Sequence, residues 1–120
     1  QPSTADKRME EWKNERMDWY YSLGITRGRL RFYEHKKEEL AHYATKAFDI
    51  EYNFPFGWKE LEGIHNRTDY DLSRHMEYSG KDLRYFDDTI GERYIPYIVE
   101  TSAGVDRTLL TVLVDAYKEE

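Results

Sequence analysis

The chain has 120 residues, a net charge of −6 and no cysteine. That length suggests one domain, and the acidic balance argues against a dedicated nucleic-acid module, which carries a basic excess. Without cysteine there is no disulfide framework and no thiolate chemistry, and a reducing, cytoplasmic setting is expected. Hydrophobic residues make up 39% and charged residues 35%, with 11 tyrosines, so aromatic rings must supply much of the burial, or some faces await neighbours.

No apolar run approaches the roughly 18 residues of a membrane-spanning helix, so no membrane contact is expected. The start, QPSTADKRMEEWK, has no apolar signal core and lacks an initiating Met, so an excised or processed chain is expected. Residues 1–5 read as a loose tail. From Asp6 to Ser22, Met9, Trp12, Trp19 and Tyr20 fall at helical spacing among charges, and Gly24 is a stop signal. Leu30 to Tyr33 alternates as a short strand. Lys36 to Phe48 predicts an amphipathic helix, with Leu40, Tyr43, Ala44, Ala47 and Phe48 as its stripe.

Asp49 to Phe54 reads as a strand broken by Pro55 and Gly57. Trp58 to Arg67 is a second strand, and TDYDLSRHMEYSG is a short helix between Asp69 and Gly80. Lys81 to Phe86 reads as a strand and DDTIGER as a turn. Tyr94 to Glu100 reads as a strand that Pro96 restricts to an edge or a bulge. Val105 to Tyr117 is apolar nearly all round, which predicts a helix buried on most sides. Strands and helices mix without regular βαβ alternation, so the expected class is α+β, an antiparallel sheet flanked by helices.

Two stretches carry candidate chemistry. In ETSAGVDR a strand ends at Glu100, small residues turn the chain, and a helix starts with Arg107 in its first turn. Free N–H groups at such a helix start favour an anion, and a guanidinium can grip phosphate oxygens in a bidentate way. On spacing alone, an ordinary turn with a surface salt bridge from Asp106 or Glu100 to Arg107 stays ahead. In WKELEGIHNR, strand alternation predicts Glu60 and Glu62 on one face, where two carboxylates could share a divalent cation with phosphates. A solvent-facing strand with ordinary charges explains the same pattern. The spacing of His35, His42, His65 and His75 matches no zinc site, and no Ser-His-Asp arrangement can be drawn.

Taken together, FPFGWKELEGIHNRTDYDL and RYIPYIVETSAGVDRTLLTVLVDAY resemble the catalytic domain of the dimeric class II glycyl-tRNA synthetases. RMDWYYSLGI and LRFYEHKKEELAHYA resemble the segments that precede them, so the resemblance runs from about Met9 to Tyr117. It implies a fragment of that domain: residues 1–8 a tail or junction, 9–54 a helix-rich, insertion-like segment, and 55–120 the active-site strands with the family's third motif. It also implies a ligase that activates glycine with ATP and passes it to tRNA(Gly), as a homodimer. Arg107 and Glu60 would be the catalytic pair. ATP would meet Glu60, Leu61, Gly104, Val105, Asp106 and Arg107. Glycine would meet Arg67, Glu100, Thr101, Ser102, Ala103 and Gly104, and Glu60 would lie near Mg²⁺. Thr101 stands where the family often has proline. The first two motifs of the class have no counterpart here, so the isolated fragment is expected to be inactive. The alternative is a non-catalytic, synthetase-like protein that binds nucleic acid or partners.

Overall fold

The computed structural model describes residues 1–119. Helix α1 (Ala5–Ser22) is followed by strand β1 (Leu30–Glu34), β2 (Lys46–Phe54) and β3 (Gly57–Thr68). Helix α2 (Tyr70–Ser79), strands β4 (Tyr85–Asp87), β5 (Glu92–Tyr94) and β6 (Ile98–Ala103), and helix α3 (Val105–Ala116) complete the described chain. One antiparallel sheet has the order β1-β2-β3-β6, and β4 and β5 pair separately. The expected α+β class with an antiparallel sheet is what the chain adopts.

The core lies between α1 and one face of the sheet. Phe48, Ile50, Tyr52 and Phe54 alternate along β2 and are buried, and Met9, Met17 and Tyr20 of α1 close over them with Leu61 and Ile64 of β3. Alternation puts the even-numbered residues of β2 on that one face. The helix ends where Gly24 takes φ +91° and the Gly24 N–H donates to the Tyr21 carbonyl, a backbone conformation that a Cβ disfavours. Polar ties fasten α1 along its length: Asn66 to Asp6, Lys46 to Glu10, and Arg16 to Glu62. The first residues are not loose, since Gln1 Nε2 donates to Asp87 at 2.9 Å.

Several expectations need correction. The predicted helix over Lys36–Phe48 is a short 3₁₀ turn at Lys37–Glu39, a loop, and the start of β2. The strand wins because Lys46–Phe54 finds partners on both sides, β1 and β3, and local periodicity cannot report such pairing. Residues 9–54 therefore hold one α-helix and two strands of the main sheet, and position 54/55 falls in the β2–β3 turn. The strand expected over Lys81–Phe86 is only Tyr85–Asp87. The one expected over Tyr94–Glu100 is divided between β5 and β6, which lie in different sheets. Pro96 sits at the break, where its missing N–H cannot join a ladder.

Helix α3 forms where expected but is not buried on most sides: Val105 is 82% exposed, Leu109 57% and Leu113 60%. Helix α1 already covers the core face of the sheet, so α3 meets it along one side, through the buried Thr111, through Val114, through Arg107, and through Asp115, which accepts from the Tyr52 hydroxyl at 2.9 Å.

Burial, with the Glu62 carboxylate beside it, pushes the Tyr20 hydroxyl up to about 12 from 10.0. A raised acid favours the protonated, folded form, so this stabilisation is full below pH 10 and is lost as pH rises towards 12. Alkaline denaturation followed by circular dichroism is expected to show that limb in the wild type and to lack it in Tyr20→Phe. An unchanged profile in the variant would assign the limb to another group.

Candidate active site

Two bulges in β3 decide which side chains reach which face. Ile50 pairs with Glu62 and Glu51 with Glu60, so Leu61 is the extra residue. A bulge of this kind inverts the alternation beyond it. The expected sharing of one face by Glu60 and Glu62 is therefore wrong. Glu62 is 1% exposed and turns towards α1. There Arg16 Nε lies 3.0 Å from both its oxygens, Arg16 Nη2 2.8 Å from Oε1, and the Tyr20 hydroxyl 3.2 Å from Oε1. The same carboxylate raises the Arg16 guanidinium above its ordinary value. Glu60 is exposed and lies on the opposite face, with its Oε1 beside Gly63.

That opposite face, away from α1, carries Gly63, His65 and Arg67. Across the ladder Gly63 pairs with Ser102 and His65 with Glu100, so Glu100 and Ser102 share the face. Thr101 and Ala103 pair with Ile64 and Glu62 and point to the other side. Of the expected glycine-binding run, the structure thus brings Glu100 and Ser102 together with Arg67, and turns Thr101 and Ala103 away. A Cβ on Gly63 would sit 2.8 Å from His65 Cε1 and 3.3 Å from Glu60 Oε1. Glycine is what lets those two side chains fold over the strand.

Arg67 is presented by the second bulge, between Asn66 and Thr68. Thr68 takes φ 57°, a strained conformation for a β-branched residue, and its N–H donates to Asn66 Oδ1 at 3.0 Å. Arg67 Nε and Nη2 donate to Asp71 at 2.7 and 3.0 Å, and Nη1 donates to Glu100 Oε2 at 2.8 Å. His65 Nδ1 is 3.8 Å from the same Glu100 oxygen, which leaves Oε1 for another donor. The Tyr43 ring lies 3.8 Å from the guanidinium carbon. Asp71, then Glu100, hold the guanidinium pKa well above the usual arginine value, and Arg67 holds Asp71 below the usual carboxylate range. One cation between two carboxylates leaves this cluster with a negative balance, which suits an ammonium group.

At the other end of β3, Arg107 Nη1 donates to the Glu60 carbonyl at 2.7 Å. The expected Glu60–Arg107 pair is brought together, through the Glu60 backbone, beside the bulge at Leu61. Leu61 itself is buried in the core, so a ligand can meet its backbone only. Gly104 is the N-cap of α3 with no side-chain cap, and Val105 and Asp106 open the helix. The first N–H groups of α3 are thus unclaimed by a capping side chain. Sequence reasoning missed Asp71, Tyr43 and the burial of Glu62. Asp71 stood four residues after Arg67, but the strand-to-helix junction hid that helical spacing.

Among the described residues no group of three or more His, Asp or Glu could hold a metal, and no helix is long and apolar enough to cross a membrane. A cavity of about 640 Å³ beside Glu34, His35, Leu40 and Lys46 contains none of the expected site residues.

An antiparallel sheet flanked by helices, with β6 feeding α3 through a small-residue turn and an arginine in the first helical turn, fits part of a class II aminoacyl-tRNA synthetase catalytic domain. No protein-family model matches the chain. Among curated proteins it is similar to glycine–tRNA ligases. That of Caldanaerobacter subterraneus subsp. tengcongensis is 62% identical over 109 residues, 91% of this chain and 24% of the relative. That of Treponema denticola is 55% identical over 120 residues, covering 99% and 27%, and that of Chlorobaculum tepidum 54% over 120 residues, covering 99% and 25%. The chain thus corresponds to a segment of glycine–tRNA ligases, spanning about a quarter of the length of the relatives it matches.

Proposed function

We propose that this chain is the part of a glycine–tRNA ligase that holds glycine at one end of β3 and ATP at the other. The observation that carries the reading is the shared face of Glu100, Ser102 and Arg67, with its negative balance. Glu100 receives the glycine ammonium through Oε1. Ser102 and the ring of His65 over Gly63 leave little room for a side chain on the substrate, and Thr101, Ala103 and Gly104 support the strand end. Arg67 uses three of the five N–H donors of an arginine on Asp71 and Glu100, and two remain for a substrate oxygen.

At the other end, Arg107 has one bond to the Glu60 carbonyl and keeps its remaining donors for phosphate oxygens. The first N–H groups of α3, from Val105 and Asp106 onward, add a positive helix end, and the backbone at Leu61 borders the nucleotide. Magnesium is commonly held by one or two carboxylates together with substrate phosphates. The exposed Glu60 carboxylate fits that role, and the ion would supply charge neutralisation on the phosphates. Glycine's carboxylate is already ionised, so it attacks the α-phosphorus without a general base, and pyrophosphate leaves. Catalysis is then positioning and electrostatic stabilisation. Transfer to tRNA(Gly) by a homodimer completes the proposed activity. The non-catalytic reading would not need Glu60 and Arg107 gathered at one end of β3 and Glu100 and Ser102 beside Arg67 at the other.

Glycine-dependent ATP–pyrophosphate exchange tests the proposal. The full-length protein carrying this segment is expected to exchange with glycine and not with alanine or serine, and the 120 residues alone are expected to give none. Equal exchange with alanine would overturn the glycine assignment. Exchange by the isolated chain would show that the remaining parts are dispensable.

A further inference from the structure

We infer that Tyr43 is a positioning residue for the glycine site: its ring is the shelf that keeps Arg67 turned towards Glu100. The inference rests on the reading of Glu100 as the ammonium ligand.

The bonds from Arg67 to Asp71 and Glu100 run from the edge of the guanidinium. Bonds at the edge set where a planar group sits within its plane and leave it free to tip out of that plane. The Tyr43 ring closes one face, 3.8 Å from the guanidinium carbon, where the negative face of the ring attracts the cation. Asp71 is four residues from Arg67 and makes two bonds to it, so the pair could swing together and abandon Glu100. Glu100 would then keep only His65, at 3.8 Å.

Tyr43 is itself held in place. It belongs to the loop between β1 and β2 that crosses this face of the sheet. Its ring packs edge-on against His65 with centroids 6.1 Å apart, and the neighbouring His42 packs against Tyr70 of α2 at 5.1 Å. The Thr45 N–H donates to the Asn66 carbonyl at 3.1 Å, which pins the end of the loop to β3. Arg67 bonds to Asp71 and Glu100, whereas Arg107 bonds to the Glu60 carbonyl, so neither Glu60 nor Arg107 shares a bond with Arg67. A fault in the shelf should therefore reach glycine and spare ATP.

The test uses the full-length protein carrying this segment, with Tyr43→Leu and Tyr43→Phe. Tyr43→Leu is expected to raise the KM for glycine about 10-fold with the KM for ATP within about twofold, and Tyr43→Phe to behave as wild type. An unchanged glycine KM, a parallel rise in both KM values, or a phenylalanine variant as impaired as leucine would overturn the inference. Tyr43→Met fills similar volume without a π face and takes the place of Tyr43→Leu if that variant does not fold. Crystal structures of the variants give a readout independent of activity. Arg67 leaving Glu100 in Tyr43→Leu and staying in Tyr43→Phe supports the shelf, and Arg67 in place in both overturns it. Should the wild type show no glycine-dependent exchange, the glycine reading fails, and the structures still decide the role of Tyr43.

Discussion

Replacing Arg16 with leucine is expected to destabilise the fold by about 3–5 kcal/mol. Glu62 is 1% exposed, and Arg16 supplies the cation that meets both its oxygens. Without it the carboxylate keeps a single bond from the Tyr20 hydroxyl at 3.2 Å, between a sheet and a helix where it is itself nearly sealed from solvent. Taking both charges out is far less costly, because an apolar pair of similar volume needs no desolvated ion. Arg16→Leu combined with Glu62→Leu should therefore recover most of the loss. Urea denaturation of both single variants and the double variant completes the cycle. A double variant as unstable as the sum of the singles would show that the two side chains act independently.

Glu100→Gln is expected to lower kcat/KM for glycine by about 100-fold or more while leaving the KM for ATP nearly unchanged. Two losses combine. The ammonium loses a charged acceptor, and Arg67 loses one of its two carboxylates, which turns the local balance from negative to neutral. The side chain keeps its size and its place opposite His65 in the ladder, so the fold should be undisturbed. Exchange kinetics with glycine varied at saturating ATP give the first number, and thermal melting checks the second point. A glycine KM within about threefold of wild type would mean that the ammonium is held elsewhere.

Parts of this architecture were readable from residues alone. α2 ends at Gly80, φ 68°, as the glycine after MEYS suggested, and α3 begins right after Gly104. The elements around Glu100, Ser102 and Arg107 were readable because a strand, a turn and a helix start lie together in the sequence. What failed depended on distant partners. Leu40, Tyr43, Ala44 and Ala47 have helical spacing, yet two neighbouring strands claim Lys46–Phe54. No local pattern records that Arg16 lies beside Glu62, or that Tyr43 lies over Arg67. The apolar residues of α3 correctly signalled a helix, but composition cannot say whether a neighbour covers them.

The extra residue at Leu61 has a practical meaning for anyone scanning variants along β3. Positions 60 and 62 are near neighbours with the same side chain, yet they answer to different assays. A change at 62 belongs in a melting curve, because that carboxylate is spent holding a helix to the sheet. A change at 60 belongs in a turnover measurement, because that carboxylate is exposed and is the one proposed to meet magnesium. A single inserted residue thus sends two nearby glutamates to opposite faces of the sheet, and a library that treats them as equivalents would mix two kinds of failure.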